Sequence, residues 1–321
     1  MGSAAPRLDE TVDLGRGLIL PTCVTVASGT FGYGFELGRL CPVDRLGAIF
    51  TKGTTLQPRA GNLPPRIAET PAGMLNAIGL QNPGVEVVRR DYAPVWRDWP
   101  VPVLVNVAGQ DIAEYVQVVR RLDGVEGVAG LELNISCPNV AGGLDFGLDP
   151  AAAAGCVKAV RGVTDLPLVV KLSPNAADVA AVARAVVDAG ADAVSLVNTL
   201  VGLKVSLALG RPVLPGTGTG GLSGPAIKPI ALAQVARVRR AVGVPIIGIG
   251  GIATARDALE FLVVGADAVQ VGTATFVDPG AALQVLDGCR AHAHRLGLSA
   301  WRDLRWTGPT DPTREGGGAP G

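Results

Sequence analysis

Residues 244–272 read VPIIGIGGIATARDALEFLVVGADAVQVG. VPIIGIG (244–250) and DAVQVG (267–272) are short β-branched apolar runs, and residues 254–264 between them carry apolar positions at helical spacing. A strand, a helix and a second strand that is apolar on both faces make the repeating unit of a parallel sheet covered by helices. The alternation extends back along the chain. VPVLVNV (101–107), GLELNIS (130–136), LPLVVKL (166–172) and DAVSLVN (192–198) are further strand-like runs, with amphipathic segments at 110–122, 149–161, 176–189 and 226–241. CVTVAS (23–28) and GAIFTK (47–52) precede them. Eight strands alternating with helices over roughly 250 residues predict an α/β fold of the (β/α)8, or TIM barrel, type, with an open doubly wound sheet as the alternative.

Two Gly/Pro-rich excursions interrupt this regularity, at 53–100 and 199–225. Both follow strands at the C-terminal face, where insertions of that length serve as lids or site walls. Residues 1–306 are therefore expected to form a single barrel domain. The stretch after Trp306, TGPTDPTREGGGAPG (307–321), has no apolar period and is expected to be a disordered tail.

Composition narrows the chemistry. The chain has 321 residues, is 48% hydrophobic, and carries 28 Lys+Arg against 28 Asp+Glu, so it lacks the cationic excess that nucleic acid binding requires. Apolar runs break well before the roughly 18 residues of a membrane helix, and MGSAAPRLDETVD at the N-terminus has no basic and apolar signal pattern. No nucleic acid, no membrane and a cytoplasmic location are expected. The cysteines Cys23, Cys41, Cys137, Cys156 and Cys289 are odd in number and widely spaced, which argues against a disulfide framework and against a metal site.

With only 2 histidines, catalysis has to rest on other groups. Lys52, Asn106, Asn134, Lys171 and Asn198 fall at or near the ends of successive strands, on the rim where such barrels place their active sites. Lys and Asn are poor strand formers and costly to bury unpaired, although isolated structural hydrogen bonds could also explain them. Gly250-Gly251 after strand 7 and Gly272-Thr273 after strand 8 match the usual phosphate site of these barrels, with plain turn glycine as the alternative. Two stretches, Gly216 to Gly221 and Gly248 to Ala253, mimic a dinucleotide fingerprint. Neither has an acidic residue ending a second strand about 20 positions on, so no Rossmann site is expected. Cys137, beyond strand 4 in NISCPN (134–139), is the rim's candidate acid/base or nucleophile. The other four cysteines have the setting of small buried hydrophobes.

These motifs resemble the class 1 dihydroorotate dehydrogenases, most closely the class 1B catalytic subunit. The landmarks are ASGTFGYG (27–34), TKGTT (51–55), PPRIAETPAGMLNAIGLQNPG (64–84), LELNISCPN (131–139), VKLSPN (170–175), SLVNTL (195–200), GGLSGPAIKP (220–229) and IGIGGIATARDALEF (247–261). The resemblance covers Leu18 to about Pro279. It implies one flavin mononucleotide (FMN) per subunit across the barrel top, its phosphate at Gly224, Gly250, Gly251, Gly272 and Thr273. The ring and ribityl chain would meet Ser28, Lys52, Gly53, Asn106, Asn134, Lys171 and Val197. Dihydroorotate would be held by Lys52, by Asn76, Ala77, Ile78, Gly79 and Leu80, and by Asn134, Asn198 and Thr199, with Cys137 as the general base. The activity implied is oxidation of (S)-dihydroorotate to orotate in pyrimidine biosynthesis, with no metal. A homodimer is also implied, or a heterotetramer with an electron-transfer subunit that supplies FAD and a 2Fe-2S cluster and reaches NAD.

The segment 202–221 departs from the family pattern. Ser206 stands where an acidic residue is common, and Lys204 where a small neutral one is. Two rivals share parts of the motif set: a dihydropyrimidine dehydrogenase-like flavin subunit acting on uracil or thymine, and a phosphate-binding barrel without flavin.

Overall fold

The computed structural model describes residues 8–38, 40–136, 146–214, 216 and 218–306. Eight parallel strands close into a barrel in chain order: β1 (Val24–Val26), β2 (Ile49–Phe50), β3 (Val103–Val107), β4 (Gly130–Asn134), β5 (Leu168–Lys171), β6 (Ala193–Leu196), β7 (Ile246–Ile249) and β8 (Ala268–Val271), with β8 pairing back to β1. Each lies inside the run expected from sequence, because covering both faces leaves each strand as an almost unbroken apolar word.

Helices follow six of the strands: α1 (Ile112–Leu122), α2 (Pro150–Arg161), α3 (Val179–Asp188), α4 (Lys228–Arg239), α5 (Ala255–Val263) and α6 (Ala281–Leu296). Four of them begin on a side-chain cap. Asp111, Asp149 and Asp178 accept from first-turn backbone N–H groups, and Thr254 forms a capping box with Asp257. Such caps stabilise each helix by about 1 kcal/mol. The first two crossovers are irregular. A single 3-10 turn (Val43–Arg45) follows β1, and three short consecutive helical segments spanning 85–96 follow β2.

The two excursions are not independent walls. Leu200–Leu203, Thr219–Ser223, Gly73–Asn76 and Ile67–Thr70 form one four-stranded antiparallel sheet in that order, joining the insertion after β2 to the insertion after β6. Glycine makes the seam possible: a Cβ at Gly73 would fall 2.0 Å from the Ser223 carbonyl oxygen. In the divergent segment, Lys204 Nζ donates to the Glu69 carbonyl at 2.7 Å and so braces this added layer, while Ser206 Oγ accepts from the Leu209 N–H at 3.3 Å within its own hairpin turn.

The expectation that the strands are apolar on both faces needs correction. Asn106, Ser195 and Gln270, from β3, β6 and β8, are buried and each bonds the buried Glu132 of β4 within the barrel. Among the described residues no helix is long and apolar enough to cross a membrane.

Candidate active site

Glu132 organises the barrel end. Its carboxylate, with no exposed surface, accepts from Asn106 Nδ2 at 2.6 Å, Ser195 Oγ at 2.7 Å and Gln270 Nε2 at 3.3 Å, and lies 3.9 Å from Lys171 Nζ. Register explains the convergence, since Asn106 stands opposite Glu132, and Lys171 stands opposite both Asn134 and Ser195. A buried charge tolerates such a site only when paired and hydrogen-bonded, and stripping away one partner costs about 3–5 kcal/mol. Above this layer Lys171 Nζ donates to Ser28 Oγ at 3.3 Å, tying β5 to the end of β1.

Lys52 follows β2, its backbone N–H donating to the Gly32 carbonyl at 2.8 Å. Burial, and after it the neighbouring Arg66 charge, pull its ammonium pKa below the ordinary lysine value. A bound anion would relieve both effects. Next to it, a Cβ built on Gly53 would lie 3.1 Å from Asn106 Oδ1 and 3.4 Å from Leu80 Cδ2, so the excursion segment 76–80 descends onto the barrel end here. Buried Asn82 anchors that segment, donating to the Leu80 carbonyl at 2.7 Å and to Thr55 Oγ1 at 2.8 Å. Asn76 donates to the Gly221 carbonyl at 3.2 Å, Ala77 N–H donates to the Arg66 carbonyl at 2.7 Å, and the Ile78 carbonyl accepts from Asn62 N–H at 2.9 Å. Gly79 and Leu80 both have positive φ, 73° and 54°, which turns the chain back at this point.

On the other side of the mouth, Asn198 Nδ2 donates to Asn134 Oδ1 at 3.1 Å, and Asn198 Oδ1 accepts from Thr199 N–H at 2.9 Å. Asn175 extends the network to the added sheet, donating to the Thr199 carbonyl at 3.1 Å and accepting from Val201 N–H at 3.1 Å. Val197 is buried, its N–H paired with the Ile249 carbonyl at 2.9 Å.

The glycines after β6 and β7 gather at a third point. Gly224, Gly250 and Gly251 have φ of 96°, 129° and 72°, and a Cβ on Gly251 would lie 2.9 Å from the Gly224 carbonyl oxygen. A Cβ on Gly224 would in turn lie 3.6 Å from Thr273 Cγ2, and Thr273 Oγ1 donates to Ser223 Oγ at 2.8 Å. Gly272 completes the group, backed by Ala27. The nearby cation is engaged elsewhere: Lys228 Nζ bonds Asp257 at 2.6 Å and Glu260 at 2.8 Å, and those acids raise its pKa. Backbone N–H groups and small hydroxyls, suited to an oxyanion, are what this corner offers. The fingerprint mimic at 216–221 instead runs into the strand Thr219–Ser223.

Cys23, Cys41, Cys156 and Cys289 are buried, and burial raises all four thiol pKa values, Cys156 and Cys289 to about 12. Cys137 lies outside the described residues, as does the segment 307–321. A groove of about 670 Å³ lined by Leu259, Val263, Gly288, His292 and Arg295 lies between outer helices and includes none of the rim residues.

The family model for dihydroorotate dehydrogenase matches residues 15–292. The chain belongs to the dihydroorotate dehydrogenase family. Among its relatives is the protein named dihydroorotate dehydrogenase B (NAD(+)), catalytic subunit, of Geotalea uraniireducens, 52% identical over 289 residues, which cover 90% of this chain and 94% of that one. The protein of the same name from Porphyromonas gingivalis is 51% identical over 294 residues, 91% of this chain and 95% of its own. In fold the chain is similar to a crystal structure of the dihydroorotate dehydrogenase of Eimeria tenella in complex with ferulenol, with a TM-score of 0.76 at 22% identity, covering 92% of this chain and 87% of that one.

Members of the dihydroorotate dehydrogenase family are FMN-dependent, and the residues at the rim fit that group. Asn106 Oδ1 is buried without a partner, an acceptor held ready for a ring N–H, and Lys171 provides a cation close by. At the glycine corner, positive φ and close backbone approach, 2.7 Å from a Gly224 Cβ to Gly73 Cα and 2.9 Å from a Gly251 Cβ to the Gly224 carbonyl oxygen, admit only glycine and leave bare backbone of the kind that binds a phosphate. Sequence marked out the rim residues. Glu132, Ser223 and Asn175, which hold them, went unremarked; the alternation of Glu132 with Asn134 in GLELN was the available signal for the first.

Proposed function

We propose that this chain is the FMN-dependent catalytic subunit of a class 1B dihydroorotate dehydrogenase, oxidising (S)-dihydroorotate to orotate on the route to UMP. The observation that carries the assignment is the meeting at Gly53, where Asn106 on the flavin side and Leu80 on the pyrimidine side come within reach of one backbone position. The high identity to relatives named as NAD-linked catalytic subunits supports it over nearly the whole chain.

In this assignment FMN would be held by Ser28, Lys52, Gly53, Asn106, Asn134, Lys171 and Val197, with its phosphate at Gly224, Gly250, Gly251, Gly272 and Thr273. When bound, FMN supplies the acceptor for the hydride from C6 of the substrate. Lys52 pairs with the substrate carboxylate. The segment 76–80, Asn134, Asn198 and Thr199 orient the ring and hold its amide and imide edges. Cys137 takes the proton from C5, so one C–H bond is lost on each carbon as the C5=C6 double bond forms. A homodimer, and a heterotetramer with an iron-sulfur and FAD subunit that delivers electrons to NAD, complete the assembly in the cytoplasm.

Anaerobic mixing of the purified yellow protein with L-dihydroorotate tests the assignment: the flavin absorbance should bleach. A flavin that stays oxidised with dihydroorotate and bleaches with dihydrouracil would overturn it in favour of a dihydropyrimidine dehydrogenase-like enzyme.

A further inference from the structure

We propose that Glu132 is a positioning residue that sets the donor and acceptor order of the flavin site and holds the flavin's reduction potential down. The inference rests on the FMN assignment above. A carboxylate accepts hydrogen bonds and donates none, so an amide packed against it must present its NH2 group and turn its carbonyl away. Asn106 does so, with Nδ2 2.6 Å from Glu132 and Oδ1 buried without a partner beside Gly53. Gln270 is oriented the same way, Nε2 on Glu132 and Oε1 unpartnered. Asn106 therefore offers an acceptor toward the mouth because Glu132 lies beneath it.

The same carboxylate lies 3.9 Å from the Lys171 ammonium, which itself reaches up to Ser28. Reduction places negative charge on the flavin ring; Lys171 favours that change and Glu132, buried where screening is weak, opposes it. Three hydrogen bonds spread the Glu132 charge, and Ser195 supplies one at 2.7 Å without belonging to the rim.

Two substitutions separate this role from a purely structural one. In Glu132→Gln the buried negative charge is gone and the amide order relaxes, so the potential should rise and the FMN dissociation constant increase about tenfold, the loss of roughly one hydrogen bond. In Ser195→Ala the carboxylate loses a donor and its charge is concentrated, so the potential should fall, by less. Potentials are read by equilibration against reference dyes, independently of dihydroorotate. Opposite shifts support the proposal. No shift or a rise in Ser195→Ala would overturn it even if Glu132→Gln fails to fold, and shifts of the same sign would overturn it where both variants fold. A wild-type protein that binds no FMN would overturn the cofactor assignment as well. A yellow wild type whose potential neither substitution moves would overturn this proposal alone.

Discussion

Asn198 and Asn134 are joined across the barrel mouth, Nδ2 of the first donating to Oδ1 of the second over 3.1 Å. Asn134 Oδ1 also accepts from Ser136 N–H at 3.4 Å, so the Asn134 amide oxygen is engaged by two donors and its NH2 group is the half of the amide left to donate to a ligand. Each asparagine thus fixes the other's orientation. Replacing Asn198 by Ala should lower kcat/KM for dihydroorotate by about 10- to 100-fold, the cost of one lost and one misdirected polar contact. Flavin content should stay at the wild-type level. Steady-state kinetics with a dye acceptor would show this, and an unchanged kcat/KM would remove the pair from substrate binding.

Gly251→Ala tests the phosphate corner. At φ 72° an alanine is strained, and its Cβ would lie 2.8 Å from Lys228 Cβ. Such backbone positions cost about 1 kcal/mol or more when filled. The protein should be purified with most of its flavin missing, measured as the ratio of absorbance at the flavin band to that at 280 nm. Gly243→Ala, where nothing lies within 4 Å of a Cβ, should retain full flavin.

Cys137→Ala should bind FMN and orotate yet reduce its flavin about 10²- to 10⁴-fold more slowly at neutral pH, the usual contribution of a positioned base. Stopped-flow bleaching by dihydroorotate measures it; near-normal reduction would displace Cys137 from the assigned role. Thiol titration offers a second reading. The four buried cysteines should react slowly in the native protein, while all 5 titrate after unfolding.

Lys52 trades stability for function. Its lowered pKa means that folding disfavours the charged form, so below the folded pKa the protonated lysine costs stability, and that cost is relieved as pH rises through the folded pKa toward the unfolded value of 10.5. Lys52→Met should therefore be more stable than wild type at pH 7, with a melting temperature about 1–3 °C higher. The gap should shrink by pH 10, and dihydroorotate oxidation should be lost at both. Calorimetry across that range decides it, and a variant less stable at pH 7 would refute the account.

The barrel was legible because each strand is covered on both faces: DAVSLVN contains Ala193–Leu196 and VPIIGIG contains Ile246–Ile249. Lys52, Asn106, Asn134, Lys171 and Asn198 stood out as residues that apolar strands rarely carry, and their chain positions give their height on the barrel directly. Glu132 was hidden for a different reason. Its significance lies in meeting Asn106, Ser195 and Gln270 on three other strands, and a run such as GLELNIS records the residue without its partners. The added sheet was illegible for the same cause, since Asn76 bonds to a carbonyl 145 positions away and no local pattern fixes that register.

That sheet bears on how substrate choice can be re-engineered in this scaffold. Gly73–Asn76 is sandwiched between Ile67–Thr70 from its own insertion and Thr219–Ser223 from the other, and it leads directly into the pocket segment. Transplanting either insertion alone from a relative would leave an inner edge without its complementary strand and swing the pocket segment off Gly53. The two insertions are one inheritable part encoded in two places, and libraries that vary the pocket should recombine them together.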